Sequence, residues 1–227
     1  MAHNGKITIW KYTTDKPLDM IGELTGVCWN SPIDDSSKNI QRAMDCLESG
    51  HGRTMEFPDI YLTIDGYSAR VMREWYTHIG GAPTRLQAST RYIDYKEFDY
   101  YIPEKIIKNE KAFEIYINVM KYISNACVEL EELGIPREDI ANILPLGMLT
   151  KIVDKRDIRN VIDMSRQRMC NRAYHEYRML FEQYLDALSN YSDEWKTLIS
   201  MTMMPKCKML GYCPEKKSCG KMPKKNK

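Results

Sequence analysis

No stretch of this chain approaches the roughly 18 consecutive apolar residues that a membrane-spanning helix needs, and the opening MAHNGKITIW lacks an apolar run ahead of a small-residue cleavage site. Neither a transmembrane span nor a secretory leader is therefore expected. The common nucleotide and hydrolase signatures are also missing: no GxGxxG after a strand, no GxxxxGKS/T, no HExxH and no GxSxG. A dinucleotide bound here would not sit on a Rossmann turn. Phe and Trp are scarce at four each, whereas Met and Tyr reach 15 each. With 43% hydrophobic and 28% charged residues in 227, the composition excludes collagen, coiled coil and disorder. What remains is a soluble, cytoplasmic globular protein with apolar material for one large domain or two small ones.

Charge is uneven. From Pro205 onward there are eight Lys and one Glu, a net of +7 in a chain whose total is +2, so residues 1–204 carry −5. An acidic body with a basic tail argues against a general nucleic-acid binder. The sequence divides accordingly into one catalytic domain over 1–204 and a Cys/Lys-rich tail over 205–227, the latter expected to be solvated and poorly ordered. Cys28, Cys46, Cys127 and Cys170 stand singly in apolar or helical surroundings and are expected to act as small buried hydrophobes. Cys207, Cys213 and Cys219 are spaced C-x5-C-x5-C with no CxxC pair. That spacing is looser than structural zinc sites use, and no metal is assigned; reduced thiols suit the compartment.

Periodicity gives a coarse architecture. Lys6–Thr13 alternates and predicts a strand, Asn39–Leu47 a helix, and Met55–Ile64 a second strand carrying Pro58. Asp65-Gly66 suggests a turn, and Ser68 a helix N-cap for a helix ending near His78. Asp99–Pro103 is strand-like. Apolar residues at Phe113, Tyr116, Ile117, Met120, Ile123, Cys127 and Leu130 share one helical face, which Gly134 and Pro136 end. A short helix over Pro136–Ile143, a short strand over Leu149–Val153, and helices over Arg156–Met169 and Ala173–Leu188 follow. Strands preceding and interleaving with a large helical block define α+β, with a mixed or antiparallel sheet.

The chemistry concentrates between Arg73 and Tyr92, REWYTHIGGAPTRLQASTRY. Two Arg, hydroxyls and an amide beside Gly80-Gly81 suit a phosphate and a planar polar ring. Guanidinium forks and backbone N–H groups are the donors that phosphate takes. A polar turn satisfying its own hydrogen bonds is the competing account. Arg156, Arg159, Arg166, Arg168 and Arg172 form a second cationic concentration, either a solvated face or part of a site. His3 and His175 are expected to be surface or packed residues. His51 is either a structural hydrogen-bonder or a cofactor-lining group. Met201, Met203 and Met204 suit core packing or a subunit contact.

QASTRY (Gln87 to Tyr92) resembles the E/Q-x-S-x-R-Y end of the signature of flavin-dependent thymidylate synthases. That signature normally begins R-H-R; here Thr77-His78-Ile79 keeps only the His, and the intervening loop is two residues longer. Other segments agree in order: His51 and Glu56 as H-x4-E, Ser68 ten residues before His78, Leu144-Pro145-Leu146 with Thr150, Arg159 in an N-x-R in which Asp157 replaces Asn, and Arg168 with Ala173, Glu176 and Arg178. Glu74 and Asp163 stand where the family often has Gln and Asn. The resemblance implies an enzyme making dTMP from dUMP, with 5,10-methylenetetrahydrofolate as carbon donor, FAD as cofactor and NADPH as hydride source. It also implies a homotetramer with active sites between subunits. Gln87, Ala88, Ser89, Thr90, Arg91 and Arg168 would then bind dUMP, Arg168 being catalytic, while His78, Gln87, Asp157 and Arg159 would face FAD. The altered R-H-R keeps open a hydroxymethylating relative, and the basic tail a non-catalytic nucleotide- or nucleic-acid-binding module.

Overall fold

The computed structural model describes residues 5–225, and His3 lies outside them. Four strands form one sheet in the order β1-β2-β4-β3: β1 (Lys6–Ile9), β2 (Asp59–Ser68), β3 (Thr84–Gln87) and β4 (Leu149–Asp157). The chain divides into two compact units, one gathering Ile64–Tyr76 and Leu86–Ile152, the other Lys6–Thr63, Thr77–Arg85 and Val153 onward. The long strands β2 and β4 each contribute to both.

In the second unit, two N-terminal helices set the pattern. α1 (Pro17–Cys28) starts with Pro at its first turn, where a missing N–H costs nothing. Two of its leading amides, Leu18 N–H and Asp19 N–H, donate to the Glu194 carboxylate at 2.8 and 3.0 Å. That carboxylate lies at the start of α9 (Asp193–Thr202). α2 (Ser36–Glu48) is capped by Asp35, which accepts from Ser37 and Lys38 N–H. α1 and α2 pack closely because Gly22 has no side chain: a Cβ there would stand 1.8 Å from the Asn39 carbonyl oxygen. Sequence periodicity picks out neither α1 nor α9. α8 (His175–Ser189) buries Tyr177, Leu180, Phe181, Tyr184 and Leu188 along one stripe, as its helical spacing predicts.

β2 buries Ile60, Leu62 and Ile64 at period two. It begins later than the sequence suggests, since Gly52–Glu56 forms a 3-10 turn, and it runs through Asp65-Gly66 instead of turning there. Gly66 has φ +73°, a conformation glycine adopts without strain, so the strand kinks without ending. Ser68 is the N-cap of α3 (Ala69–Trp75), accepting from Val71 N–H at 3.2 Å. β4 likewise exceeds Leu149–Val153: it continues to Asp157 and takes in Arg156, which the sequence placed on a helix. The helix α7 (Ile158–Arg168) starts later because the Asp157 carboxylate caps it, accepting from Asn160 N–H at 2.7 Å.

In the first unit, α4 (Glu104–Ile107) leads into α5 (Glu110–Glu132), a helix that the periodicity predicts, N-capped by Asn109. Asp99–Pro103 is not a strand: Tyr100 makes a single antiparallel bridge with Met148. Phe98, Met120 and Met148 form a small core with Tyr116 and Leu144 against it. α6 (Arg137–Ile140) and the 3-10 turn Ala141–Ile143 divide the predicted Pro136–Ile143 helix.

The tail is largely exposed, as its composition predicts, but ordered, contrary to the same expectation. α10 (Lys206–Leu210) ends on Gly211 at φ +74°, and Cys213 is buried, its N–H donating to Pro223 O at 2.7 Å. Glu215, the tail's one acid, pairs with Arg172. Local backbone pairing thus supplies the order that lysine-rich composition argues against. Cys46 and Cys127 are buried as expected, whereas Cys28 is exposed and Cys170 half-buried. Among the described residues no group of three or more His, Cys, Asp or Glu is placed to hold a metal. Among the described residues no helix is long and apolar enough to cross a membrane.

Candidate active site

The loop before β3 and the helix α7 meet through backbone and capping contacts. Asn160 Nδ2 donates to Gly80 O at 2.6 Å. Gly81 lies against the capping carboxylate: a Cβ there would stand 1.8 Å from Asp157 Oδ2, at a φ of +71°. Gly80 and Gly81 therefore fasten the loop to the start of α7. Burial raises the Asp157 carboxyl above its ordinary range. Gly81→Ala combines a steric clash with a disfavoured backbone angle, and is expected to cost about 1–3 kcal/mol. At about 2–4 °C per kcal/mol for a chain of this size, a melt should fall by roughly 2–12 °C.

Arg168, at the C-terminal end of α7, is held on three sides. Its Nε donates to His78 Nε2 at 2.9 Å, and an Nη donates to Thr77 Oγ1 at 3.4 Å. Its guanidinium carbon lies 4.4 Å from the centroid of the Tyr177 ring. The His78 ring meets Tyr177 edge-on at 6.3 Å. Burial first, then Arg168 and Arg156, lower the His78 pKa from 6.5 to about 4. His78 is thus neutral at pH 7. With Nε2 accepting, its proton is on Nδ1. The sign of the linkage follows: between about 6.5 and 4 the unfolded chain takes up a proton that folded His78 refuses. His78 should therefore contribute a loss of stability on acidification through that window, smaller in a His78→Gln chain, read as denaturation midpoints.

Behind this group lies a fully buried ion pair. Arg156 donates Nε and Nη2 to the two oxygens of Asp154 at 2.5 and 2.9 Å, and Nη1 to Asn160 Oδ1. Both side chains have no exposed surface. Thr150, Ile152, Asp154 and Arg156 alternate as the buried face of β4.

Arg159, on the exposed side of α7, pairs with Glu56 and packs over Gly52. It borders an open cavity of about 460 Å³ whose walls include Met55, Ile162, Met201 and Met204, with Arg166 as a second cation. Two guanidinium groups beside an apolar wall suit a pyrophosphate carrying a flat ring, provided that it displaces the Glu56 and Asp163 carboxylates now paired with them, so the residues fit the flavin cofactor expected from the sequence. Thr202 and Met209 place the C-terminal segment on the same cavity. The ring of His51 is exposed, with its backbone closing the turn after α2.

In the other unit, the segment expected to hold a nucleotide leaves the end of β3. Tyr76 Oη donates to Gln87 Oε1 at 2.9 Å, and Gln87 Nε2 donates to Thr150 Oγ1 at 3.5 Å. Ala88 N–H extends the pairing to β4 by donating to Lys151 O at 2.8 Å. Ser89 Oγ accepts from Arg91 N–H at 3.2 Å, a turn that holds Thr90 at its apex. The exposed Arg91 guanidinium pairs with Glu138 of α6 at 3.0 Å.

Gln87, Ala88, Ser89, Thr90 and Arg91 thus fall together in one unit, and His78, Asp157, Arg159 and Arg168 in the other. Sequence reasoning missed Tyr177 as the ring under Arg168, Glu138 as the partner of Arg91, and the Asp154–Arg156 pair. The alternation from Thr150 to Arg156 is the signal that would have revealed the last.

The first unit offers a loop of hydroxyl and guanidinium donors, chemistry suited to a phosphate, and the second an arginine stacked on an aromatic ring beside a neutral imidazole, chemistry suited to a planar polar ring. A family model described as thymidylate synthase complementing protein matches residues 9–191. Flavin-dependent thymidylate synthases from three organisms are similar in sequence: Nitratidesulfovibrio vulgaris, 28% identical over 187 residues, covering 78% of this chain and 74% of the relative; Pyrococcus horikoshii, 30% over 175 residues, covering 75% and 71%; and Geobacter sulfurreducens, 26% over 226 residues, covering 95% and 94%. The fold is similar to that of the Helicobacter pylori flavin-dependent thymidylate synthase ThyX complexed with FAD and dUMP, with a TM-score of 0.66 at 19% identity over 85% of this chain and 98% of that one. The chain belongs to the flavin-dependent thymidylate synthase family.

Proposed function

We propose that this chain makes dTMP by reductive methylation of dUMP, taking the carbon from 5,10-methylenetetrahydrofolate and the hydride from NADPH. Bound FAD supplies the hydride transfer that no side chain can perform. The observation that carries the assignment of roles is the fixed Arg168 guanidinium. Uracil C5 becomes nucleophilic as negative charge builds on the ring's N3/O2/O4 edge, and a guanidinium already oriented there stabilises that charge without reorganising. Neutral His78 adds no competing cation and leaves one donor, Nδ1–H, for the cofactor. Arg91, with the Ser89 turn, takes the nucleotide phosphate. Its exposed pair with Glu138 is worth at most about 1 kcal/mol, which a phosphate dianion readily displaces. Gln87, locked between Tyr76 and Thr150, and the Ala88 and Thr90 backbone shape the sugar side. Asp157 fixes the start of α7, from which Arg159 reaches the cofactor.

The assembly is a homotetramer whose subunits together complete each site. Support comes from α5, which exposes Ile115, Val119 and Tyr122 as one apolar stripe at helical spacing. A cytoplasmic setting agrees with seven free cysteines. Residues 1–204 form the catalytic part and 205–227 an appended basic segment.

Two measurements on the purified protein test the assignment. Its absorption spectrum should show flavin that responds to dUMP, and tritium should be released from 5-tritiated dUMP when folate and reductant are present. A colourless protein that takes up no FAD and releases no tritium overturns it. Product mass distinguishes dTMP from a hydroxymethyl nucleotide.

A further inference from the structure

We propose that Thr77 and His78 are positioning residues for Arg168: they hold its guanidinium in one plane against Tyr177, so that the departure from R-H-R is a rebuilt clamp and not a lost site. This rests on the reading of Arg168 as the uracil-edge group.

An arginine at a helix end carries about 2 kcal/mol of rotamer entropy, and a guanidinium that wanders stabilises no developing charge. Three contacts in different directions remove that freedom here. His78 Nε2 takes the Nε proton at 2.9 Å, Thr77 Oγ1 takes an Nη proton at 3.4 Å, and the Tyr177 ring covers one face at 4.4 Å. Tyr177 itself is fully buried, so the floor of the clamp does not move. The walls come from two segments, the loop after α3 and the start of α8, and close on the end of α7, which carries Arg168.

The clamp needs acceptors at both loop positions. An imidazolium has no lone pair to offer, so His78 works only when neutral, and its surroundings keep it so. The charged and titratable groups facing it are Arg168 of α7, Arg156 of β4 and Tyr177 of α8, with no carboxylate among those that shift it. Thr77 supplies a hydroxyl where a second guanidinium would bring two cations together. In this chain the residue found in relatives at position 77 would therefore oppose the arrangement.

The test compares five variants of the FAD-loaded enzyme by tritium release from 5-tritiated dUMP, with KM for dUMP, flavin absorbance and melting temperature read in parallel. His78→Leu keeps bulk but removes the acceptor, and kcat should fall by about ten- to a hundredfold, the scale of a lost hydrogen bond to a charged group. At saturating FAD, which offsets the lost Nδ1–H donor, KM for dUMP should change far less than kcat, because the loss is in the transition state. His78→Gln places a carbonyl acceptor near the old Nε2 and should recover most of that loss. Thr77→Val should lower kcat by about three- to tenfold. Thr77→Arg should lower it too, although it restores the family residue. Wild-type kcat in His78→Leu with an inactive Arg168→Ala overturns the clamp and leaves the reading of Arg168 standing. Wild-type tritium release in Arg168→Ala overturns that reading itself. A His78→Leu enzyme whose activity returns with added FAD shows a ring that serves the cofactor alone, and also overturns the clamp. Should His78→Leu fail to fold, His78→Gln and Thr77→Arg decide the matter by the same readouts.

Discussion

Arg168→Ala is expected to lower kcat for dUMP methylation by about 10²- to 10³-fold, the range measured when a single preorganised donor to a developing anion is removed. The size follows from the geometry. A guanidinium already fixed by His78, Thr77 and the Tyr177 face needs no rearrangement as charge builds on the uracil edge, so its whole interaction counts in the transition state. Arg168→Lys should recover little, since a point charge on a flexible stem has neither the planar fork nor the face that stacks. Arg91→Ala should behave differently. Arg91 is exposed and paired with Glu138 before substrate arrives, so its loss should raise KM for dUMP by about tenfold while kcat changes little. Comparing the two variants under identical flavin loading separates a charge used in chemistry from one used in binding. Equal effects of both on KM alone would remove Arg168 from the chemistry.

The arginine-rich stretch shows how far the residues alone reach. Arg156, Arg159, Arg166 and Arg168 are alike in composition, yet each has a different fate. Arg156 is buried against Asp154 on the inner face of β4; Arg159 and Arg166 pair with Glu56 and Asp163 at the edge of the cavity; Arg168 lies across Tyr177. Matching to family motifs picked out Arg159 and Arg168, because motif spacing survives sequence divergence. It passed over Arg156, which the helical reading of 156–169 had put on the wrong element. Where apolar spacing is regular the fold was legible, as in β1, α5 and α8. It was not legible where tertiary contact overrides local preference. α1 carries glycines at 22 and 26, poor helix formers that are present because α2 comes within contact of Gly22. β3 is four largely exposed residues, TRLQ, made a strand by its pairing to β4. The tail is solvated lysine, as its composition reads, but the backbone bond from Cys213 to Pro223 gives it an order that composition does not show. Asn109, Ser68 and Asp157 start helices by N-capping, a local signal; of these, the sequence pattern revealed Ser68 but neither Asn109 nor the strand-to-helix change at Asp157.

Asp154→Ala is expected to be the most destabilising single change in the chain. The Asp154–Arg156 pair has no exposed surface, so removing the carboxylate leaves a guanidinium buried without its counter-ion. Breaking such a pair from one side costs about 3–5 kcal/mol. At about 2–4 °C per kcal/mol that is a fall of roughly 6–20 °C in melting temperature. Replacing both partners together, as Asp154→Leu with Arg156→Met, removes the stranded charge and should recover much of the loss, since apolar replacements of buried pairs are often neutral or better. The double variant should also have a catalytic signature. Arg156 is one of the cations that lower the His78 pKa, and it donates to Asn160, whose amide holds the Gly80 loop. With Arg156 gone, the His78 pKa should rise from about 4, but only in part, because burial and Arg168, the larger causes of its depression, remain. Once protonated, His78 would carry a proton on the nitrogen that Arg168 needs as an acceptor. The double variant should therefore melt near the wild-type temperature yet lose kcat on acidification at a higher pH than the wild-type enzyme does. A melt that stays low in the double variant would mean that the pair contributes more than charge balance. A pH profile that coincides with the wild-type one would mean that Arg156 does not contribute to the protonation state of the clamp.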